Sequence, residues 1–297
     1  ITNSTNHQHL PRAFQRLSRF SPLSAIASWD MFTMMPPGGS QARGEALAEL
    51  NVLEHQLLTD PKVAAWIAGA QQEQLNDIEQ ANLREMSRLH HQASLLPESL
   101  VEAKSLAGSR CEHAWRSQRP ANDWEGFAEN LKDVVKYSRE EARLRAEAKG
   151  CSPYDALLDV FEPDMTSARL DVLFADLKGW LPDLLSKVVA KQSRQSLIAP
   201  VGPFPTAVQR ELGLETMAQL GFDFAGGRLD ISAHPFCGGV PEDVRITTRY
   251  DENELLSALF GVIHETGHAR YEQNLPRNWS GQPIALARST AIHESQS

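Results

Sequence analysis

The feature that most constrains the fold of this chain is a pair of histidines four residues apart, because a helix is the regular structure that brings their side chains together. The segment H-E-T-G-H occupies residues 264–268, and apolar residues recur at helical spacing from Asn253 to Ile263. Residues i and i+4 of a helix share one face, so the imidazoles of His264 and His268 can reach a single ion. The segment therefore predicts a helix that carries part of a metal site.

Glu265 stands directly after the first histidine and completes the pattern H-E-x-x-H. In sites of this type a zinc ion lowers the pKa of a bound water to about 7, and a nearby carboxylate accepts the proton as the water attacks a carbonyl. The pattern predicts that Glu265 is a general base. The alternative is an ordinary helix with two partly buried histidines and no metal.

A catalytic zinc needs a third protein ligand besides the two histidines. Glu272 continues the spacing, but on a straight helix its Cα lies about 12 Å along the axis from that of His264. Because ligands sit about 2 Å from the metal, the third ligand has to come from another segment. Glu294 is the candidate, and the adjacent His293 competes with it. The alternative is that Glu294 is solvated and binds no metal.

Most of the remaining sequence has the spacing of apolar residues that is typical of helices. Between residues 20 and 195, apolar residues recur at helical spacing in runs that prolines separate. Pro182 is expected to kink or break the helix that begins at Thr166. Near Gly221 the pattern changes to short segments rich in β-branched residues and Gly-Gly pairs. This change predicts a small antiparallel sheet next to the metal helix, as one hairpin or three short strands.

The composition argues against several other classes of protein. A net charge of −9 argues against a nucleic-acid module, which needs a basic surface. No stretch approaches the ~18 apolar residues of a membrane span, so none is predicted. The three cysteines are far apart in the chain, which predicts unpaired thiols in a reducing compartment and therefore a cytoplasmic protein.

Four ordered motifs resemble the carboxypeptidase Taq (M32) family of metallocarboxypeptidases. They are H-P-F at 234–236, D-V-R-I-T at 243–247, H-E-T-G-H at 264–268 and H-E-S-Q at 293–296. The segments Y-D-A-L-L-D at 154–159 and F-E-P at 161–163 also resemble family segments. The resemblance runs from about residue 20 to the last residue, and four motifs in order are far more specific than the pentapeptide alone.

The resemblance implies a mainly α, zincin-like metallopeptidase. It also implies that His264, His268 and Glu294 are the metal ligands and that Glu265 is the general base. The family's metal is zinc, or cobalt in some members. Its members are homodimers with a deep groove, and they remove C-terminal residues one at a time from peptides with broad specificity. We therefore expect a metal-dependent carboxypeptidase that acts on peptide substrates.

Three residues near the small sheet are candidates for substrate binding. An exposed edge strand there can pair with an extended peptide. His234 is a candidate hydrogen-bond donor to the substrate carbonyl or its oxyanion, and the alternative is a structural histidine in the core or in a turn. Arg245 and Arg249 are candidates for bidentate binding of a terminal carboxylate. The alternative for these arginines is a structural ion pair with Asp243 or Glu242.

Two other functions are compatible with the same residues. A zinc endopeptidase or oligopeptidase would use the same chemistry but hold its substrate differently. A non-catalytic helical scaffold would carry the H-E-x-x-H pattern by coincidence.

We expect residues 1–297 to form a single catalytic domain, with a helical region in 1–200 and the sheet and metal-site helices in 201–297. The family has further motifs after the third ligand, with Arg, Tyr and His residues that bind the substrate carboxylate. The chain ends three residues after Glu294, so the domain is expected to be truncated at its C-terminus.

The truncation predicts weak or absent release of C-terminal residues by residues 1–297 alone, and normal release by a longer chain with those motifs. Mass spectrometry of a peptide incubated with each protein measures the release. Robust release by residues 1–297 contradicts the prediction.

Overall fold

The computed structural model describes residues 5–297 except residues 197 and 199. The described chain is mostly helical with one small sheet before the H-E-x-x-H helix, so the predicted fold class is confirmed. The strands are β1 (Gly227–Ile231), β2 (Cys237–Val240) and β3 (Asp243–Thr248). The helices are α1 (Asn6–Ser18), α2 (Ser21–Thr33), α3 (Ser40–Leu58), α4 (Pro61–Ala70), α5 (Asp77–Ser94), α6 (Glu98–Gln118), α7 (Trp124–Lys149), α8 (Pro153–Phe161), α9 (Ser167–Gln192), α10 (Thr206–Gln219), α11 (Leu255–Gln273) and α12 (Thr290–Glu294).

Several helices begin where a capping side chain satisfies a free backbone N–H group. Asp60 accepts a hydrogen bond from the backbone of Lys62 at the start of α4, and Thr166 accepts one from Arg169 at the start of α9. α7 ends at Gly150, whose φ of 70° lies in the left-handed region that favours glycine. These boundaries follow local signals that the sequence carries.

Of the two expected effects of Pro182, a kink or a break in α9, the break does not occur. The helix continues through Pro182 from Ser167 to Gln192. A proline inside a helix removes one backbone hydrogen bond and costs about 3 kcal/mol locally, and the long helical segments on both sides persist. α9 buries none of its residues, and apolar side chains such as Trp180 and Leu184 are exposed. Within the described chain, no helix combines the length and the apolarity needed to cross a membrane.

Two of the apolar cores in the described residues lie toward opposite ends of the chain. The first joins α1, α4 and α5 through Leu10, Phe14, Val63, Ile67, Ala70, Leu83 and Met86. The second joins α10, the sheet and α11 through Met217, Phe222, Leu229, Val244, Ile246, Val262 and Ala269. The second core therefore packs the H-E-x-x-H helix directly against the sheet.

The sheet is mixed, with strand order β1–β3–β2. β2 and β3 form the expected antiparallel hairpin, in which Val240 pairs with Asp243. β1 runs parallel to β3, with Leu229 opposite Ile246, so the prediction of a wholly antiparallel sheet is wrong for this pair. The linker at residues 232–236 carries the chain from one edge of β3 to the other. Side-chain alternation along a strand does not encode this order, because it reports only which face is buried.

Buried polar side chains of α5 hold the segment that leads to α12. Asn82 is 2% exposed, donates to Gln282 Oε1 at 3.1 Å and accepts from the backbone N of Ile284 at 3.2 Å. Gln282 in turn donates to the carbonyl oxygen of Pro11 at 3.0 Å. These bonds join segments that are far apart in the sequence.

Glu85 makes a second connection between α5 and the same segment. It is 5% exposed and accepts hydrogen bonds from Arg88 Nε at 2.8 Å and Arg288 Nε at 2.9 Å. Burial by itself raises the pKa of the Glu85 carboxyl, but the hydrogen bonds and charges of the two arginines bring that pKa below its ordinary value. The ionised carboxylate therefore stabilises the fold.

Glu85→Gln is expected to lower the free energy of unfolding at pH 7 by about 1–3 kcal/mol, because both arginines lose their charged partner. The pKa of Glu85 is lower in the folded than in the unfolded state. Its contribution is therefore present above the unfolded-state pKa of about 4.3 and is lost as the pH falls through the folded-state value. Urea midpoints of the two proteins should differ at pH 7 and converge once the pH lies below the folded-state pKa of Glu85.

Glu102→Gln is the control for this measurement, because Glu102 is exposed on α6. It should leave the urea midpoint almost unchanged. A loss caused by Glu85→Gln that is equally large at both pH values would contradict the electrostatic explanation.

Candidate metal centre

α11 has the helical geometry that the spacing of the two histidines predicts. Val262 and Ala269 belong to the core with the sheet. His264 is exposed and His268 is 8% exposed, and the centroids of their rings lie 4.9 Å apart. One turn of α11 therefore presents two imidazoles close together.

Glu294, the last residue of α12, joins the two histidines. One ligand atom from each of His264, His268 and Glu294 lies within 4.8 Å of the other two. His268 Nε2 is 3.6 Å from Glu294 Oε2. The structure thus brings together the three residues that the sequence proposes as ligands.

This donor set fits a divalent metal ion. Two imidazole nitrogens and one carboxylate oxygen are typical of catalytic zinc, which leaves one of four positions open. In a tetrahedral site with bonds of 2.0–2.1 Å, ligand atoms lie about 3.3 Å apart. The atoms of this cluster lie within 4.8 Å of one another, so rotations of exposed side chains suffice to close the set.

The position of α12 depends on contacts with the end of α8. Ser289 Oγ donates to the carboxylate of Glu162 at 2.8 Å, and the backbone N of Ala291 donates to the same carboxylate at 2.9 Å. Thr290 Oγ1 donates to the carbonyl oxygen of Phe161 at 2.9 Å. The F-E-P segment therefore anchors the N-terminus of the helix that carries Glu294.

Gly267 lets the chain after Glu294 pass directly over α11. A Cβ at this position would overlap the carbonyl oxygen of Gln296 and lie 2.6 Å from the Cα of Ser297. Both contacts involve backbone atoms, so only a shift of the crossing segment would relieve them. The glycine inside the H-E-x-x-H segment is therefore a packing requirement of the site.

Burial shifts the pKa of Glu265 and the pKa of His268 in opposite directions. Glu265 is 6% exposed, and burial raises the pKa of its carboxyl; Glu294 adds to the rise, whereas His264 and His234 oppose it. Burial lowers the pKa of His268, which favours the neutral imidazole that a metal binds. The arrangement combines a basic carboxylate at Glu265 with a neutral imidazole at His268, as metal-assisted hydrolysis requires.

His293, the competing ligand, has both ring nitrogens hydrogen-bonded. Its Nδ1 lies 2.7 Å from His268 Nδ1, and its Nε2 lies 2.9 Å from Glu272 Oε1. This geometry favours Glu294 over His293 as the third ligand. Glu272, which a straight helix places too far from His264 to share a metal with it, contacts His293 instead.

A cleft of about 630 Å³ opens beside the three candidate ligands. Its wall includes Phe236, Cys237 and two arginines, Arg88 and Arg288. Both arginines form ion pairs with Glu85. Neither belongs to a motif, and no local signal in the sequence marks them. Burial raises the pKa of the Cys237 thiol, so this cysteine stays neutral in the cleft wall.

The three candidate substrate residues lie in different environments. His234 is exposed, its Nδ1 lies 2.8 Å from the carbonyl oxygen of Pro235, and it acts to lower the pKa of the Glu265 carboxyl. Arg245 is held by Asp243 through two hydrogen bonds of 2.9 and 2.8 Å, which is the structural ion pair considered as its alternative. Arg249 is exposed just beyond the end of β3.

The strand with the D-V-R-I-T segment is not available to a peptide, because β3 pairs with β1 and β2 on its two sides. Thr247 on this strand is fully buried, accepts from the backbone N of Phe236 at 3.0 Å and lies 2.7 Å from Ser232 Oγ. The H-P-F and D-V-R-I-T segments therefore support each other. β2 is an edge strand, and its first residue, Cys237, lines the cleft.

Comparisons with known proteins agree with these features. The family model of the carboxypeptidase Taq (M32) metallopeptidases matches residues 9–297. The chain is 37% identical over 310 residues to thermostable carboxypeptidase 1 of Thermus thermophilus, a match that covers 100% of this chain and 61% of that relative. It is 34% identical to carboxypeptidase 1 of Bacillus subtilis, with coverage of 95% and 57%.

A solved structure shows the same fold. Metallocarboxypeptidase 1 of Trypanosoma cruzi superposes with a TM-score of 0.86 at 46% sequence identity, over 98% of this chain and 59% of that chain. The chain therefore spans about three fifths of the length of the relatives that it matches.

Gly267→Ala is expected to weaken zinc binding about tenfold or more, because the added methyl group displaces the segment that carries Glu294. Titration of zinc against a chromophoric chelator measures the dissociation constant. Gly108→Ala in α6 is the matched control, because a Cβ there meets no atom within 4 Å. Equal zinc affinities of the two variants would show that the close crossing at Gly267 does not position Glu294.

Proposed function

This chain belongs to the carboxypeptidase Taq (M32) family of metallopeptidases, and we propose that the protein is a metal-dependent carboxypeptidase that releases C-terminal residues from peptides. The observation that carries the proposal is the convergence of His264, His268 and Glu294 next to the buried Glu265. Because the chain covers 61% of the Thermus relative, the proposal concerns the whole polypeptide that contains it.

Zinc is the proposed ion, and cobalt is an alternative that the same nitrogen and oxygen donors accept. When bound, the ion lowers the pKa of water to about 7 and polarises the scissile carbonyl. His264, His268 and Glu294 would hold the ion as its three protein ligands.

Glu265 is assigned as the general base. It accepts the proton of the attacking water and passes it to the leaving amine. The raised pKa of this carboxyl makes it a better proton acceptor than an exposed glutamate. Its burial next to His264 keeps it close to the reacting atoms.

The cleft supports a substrate that ends in a free carboxylate. Arg88 and Arg288 line its wall and share the carboxylate of Glu85, which offsets one of their two positive charges; the remaining charge favours an anionic group nearby. His234 is assigned as a donor to the substrate carbonyl. Arg249 is a candidate for binding the terminal carboxylate of the substrate. The ion pair of Arg245 with Asp243 argues against Arg245 in that role.

Broad specificity, a homodimer and a cytoplasmic location are further parts of the proposal. The first two come from the family resemblance. The location comes from cysteine usage, and Cys111, Cys151 and Cys237 are all free thiols in the structure, which is consistent with a reducing compartment.

In the full-length protein, Glu265→Gln is expected to slow the release of C-terminal residues by about 10²–10⁴-fold and to keep stoichiometric zinc, because it removes the proton acceptor but no ligand. Amino-acid release and metal analysis of the same sample measure the two properties. Glu102→Gln, on the exposed face of α6, should change neither. Loss of zinc together with activity would mean that Glu265 belongs to the ligand set.

A peptide with a free C-terminus should be shortened one residue at a time, whereas its C-amidated form should resist. Internal cleavage of both peptides would identify an endopeptidase and overturn the carboxypeptidase proposal. A wild-type protein without stoichiometric zinc or cobalt would favour the non-catalytic scaffold.

A further inference from the structure

Glu272 and His293 form a hydrogen-bonded pair behind His268, and we propose that this Glu272–His293 relay positions His268 for metal binding by fixing the tautomer of its imidazole. The inference rests on the proposed metal site and goes beyond it, because neither residue is a ligand or touches the reacting atoms. Both are positioning residues that act through His268.

The geometry is continuous from the carboxylate to the candidate ligand atom. Glu272 Oε1 lies 2.9 Å from His293 Nε2, and His293 Nδ1 lies 2.7 Å from His268 Nδ1. The other ring nitrogen of His268, Nε2, lies 3.6 Å from Glu294 Oε2 in the ligand cluster. The three side chains therefore form one chain of contacts that ends at the metal site.

Hydrogen-bonding rules give this chain a single direction when His293 carries one proton. A carboxylate oxygen can only accept, so His293 Nε2 carries hydrogen and donates to Glu272. In a neutral His293, Nδ1 is then the acceptor, so His268 Nδ1 donates to it. A neutral His268 with hydrogen on Nδ1 has its lone pair on Nε2, which is the atom that faces Glu294. The relay thus leaves free the nitrogen that a metal needs.

The surroundings keep the relay ordered. The side chain of His268 is 10% exposed, that of His293 is 21% exposed, and that of Glu272 is 25% exposed, so water has limited access to their hydrogen bonds. The ring of Tyr271 packs edge-on against His293, with centroids 4.7 Å apart. Hydrogen bonds in such a partly dehydrated place are stronger than at the surface.

The relay also explains how α11 and α12 are joined at the site. Glu272 stands four residues after His268 on α11, so the two share a face of that helix. His293 comes from α12, directly before Glu294. Its ring fills the space between the two α11 residues, and this placement holds the neighbouring Glu294 close to the metal position.

The test uses variants that separate polarity from packing. His293→Phe keeps a ring against Tyr271 but removes both nitrogens, and Glu272→Ala removes the acceptor. Glu272→Gln keeps an oxygen that can accept from His293. His91→Phe, at an exposed position of α5, is the matched control for the ring substitution.

Zinc dissociation constants of the purified protein are measured by competition with a chromophoric chelator. His293→Phe and Glu272→Ala are expected to weaken zinc binding about 10–100-fold. Glu272→Gln should restore most of the affinity, and His91→Phe should match the wild type. Unchanged affinity in His293→Phe would overturn the relay. A loss of zinc as complete as that in Glu294→Ala would make His293 a ligand and would overturn it as well.

A spectroscopic measurement on the metal-free protein reads the tautomer directly. With ¹⁵N-labelled histidine, long-range nitrogen–proton correlations are expected to show hydrogen on Nδ1 of His268 in the wild type and a mixture of tautomers in His293→Phe. Hydrogen on Nε2 of His268 in the wild type would contradict the relay. A structural role of His293 limited to packing would leave the tautomer unchanged.

The relay and the proposed function can fail separately. If the wild type binds zinc, responds to His293→Phe as expected and yet does not shorten peptides, the carboxypeptidase proposal fails and the relay stands. If the wild type shortens peptides and His293→Phe binds zinc as tightly, the relay fails and the function stands.

Discussion

Burial of one side of α11 against the small sheet is the contact on which the candidate site depends. Val262 and Ala269 of α11 share a core with Ile246 of the central strand, and all three are almost completely buried. A large apolar side chain buried in this way contributes roughly 1.5–3 kcal/mol. Once this side of the helix is held, its rotation about the axis is set, and the direction in which His264 and His268 project follows from it.

Glu294 has no comparable local support. A helix of five residues is too short to be stable by itself in water, so its position depends on contacts with distant parts of the chain. Glu162 caps its N-terminus, Glu85 holds Arg288 just before it, and Gly267 lets the following chain cross α11. The stability of the helical region before the sheet is therefore coupled to the geometry of the third candidate ligand.

Local signals predicted much of the fold because capping and apolar spacing act within a few residues, as at Asp60 and Thr166. The H-E-x-x-H spacing, together with the resemblance to the carboxypeptidase Taq family, placed His264, His268 and Glu294 in one candidate set. The parallel pairing of β1 with β3 could not be predicted, because strand patterns do not encode strand order. The break considered at Pro182 does not occur, because a proline removes only one hydrogen bond of a long helix.

The sequence by itself determined the chemistry of the candidate site and the helix that presents it, because the i, i+4 spacing of His264 and His268 is a local property of the chain. Only the tertiary structure decided which distant groups surround that site. Arg88 reaches the cleft wall from α5, and the two ring nitrogens of His293 are hydrogen-bonded to His268 and to Glu272. Such contacts depend on how separate helices pack and on where each ring nitrogen points. The spacing of residues along the chain determines neither of these.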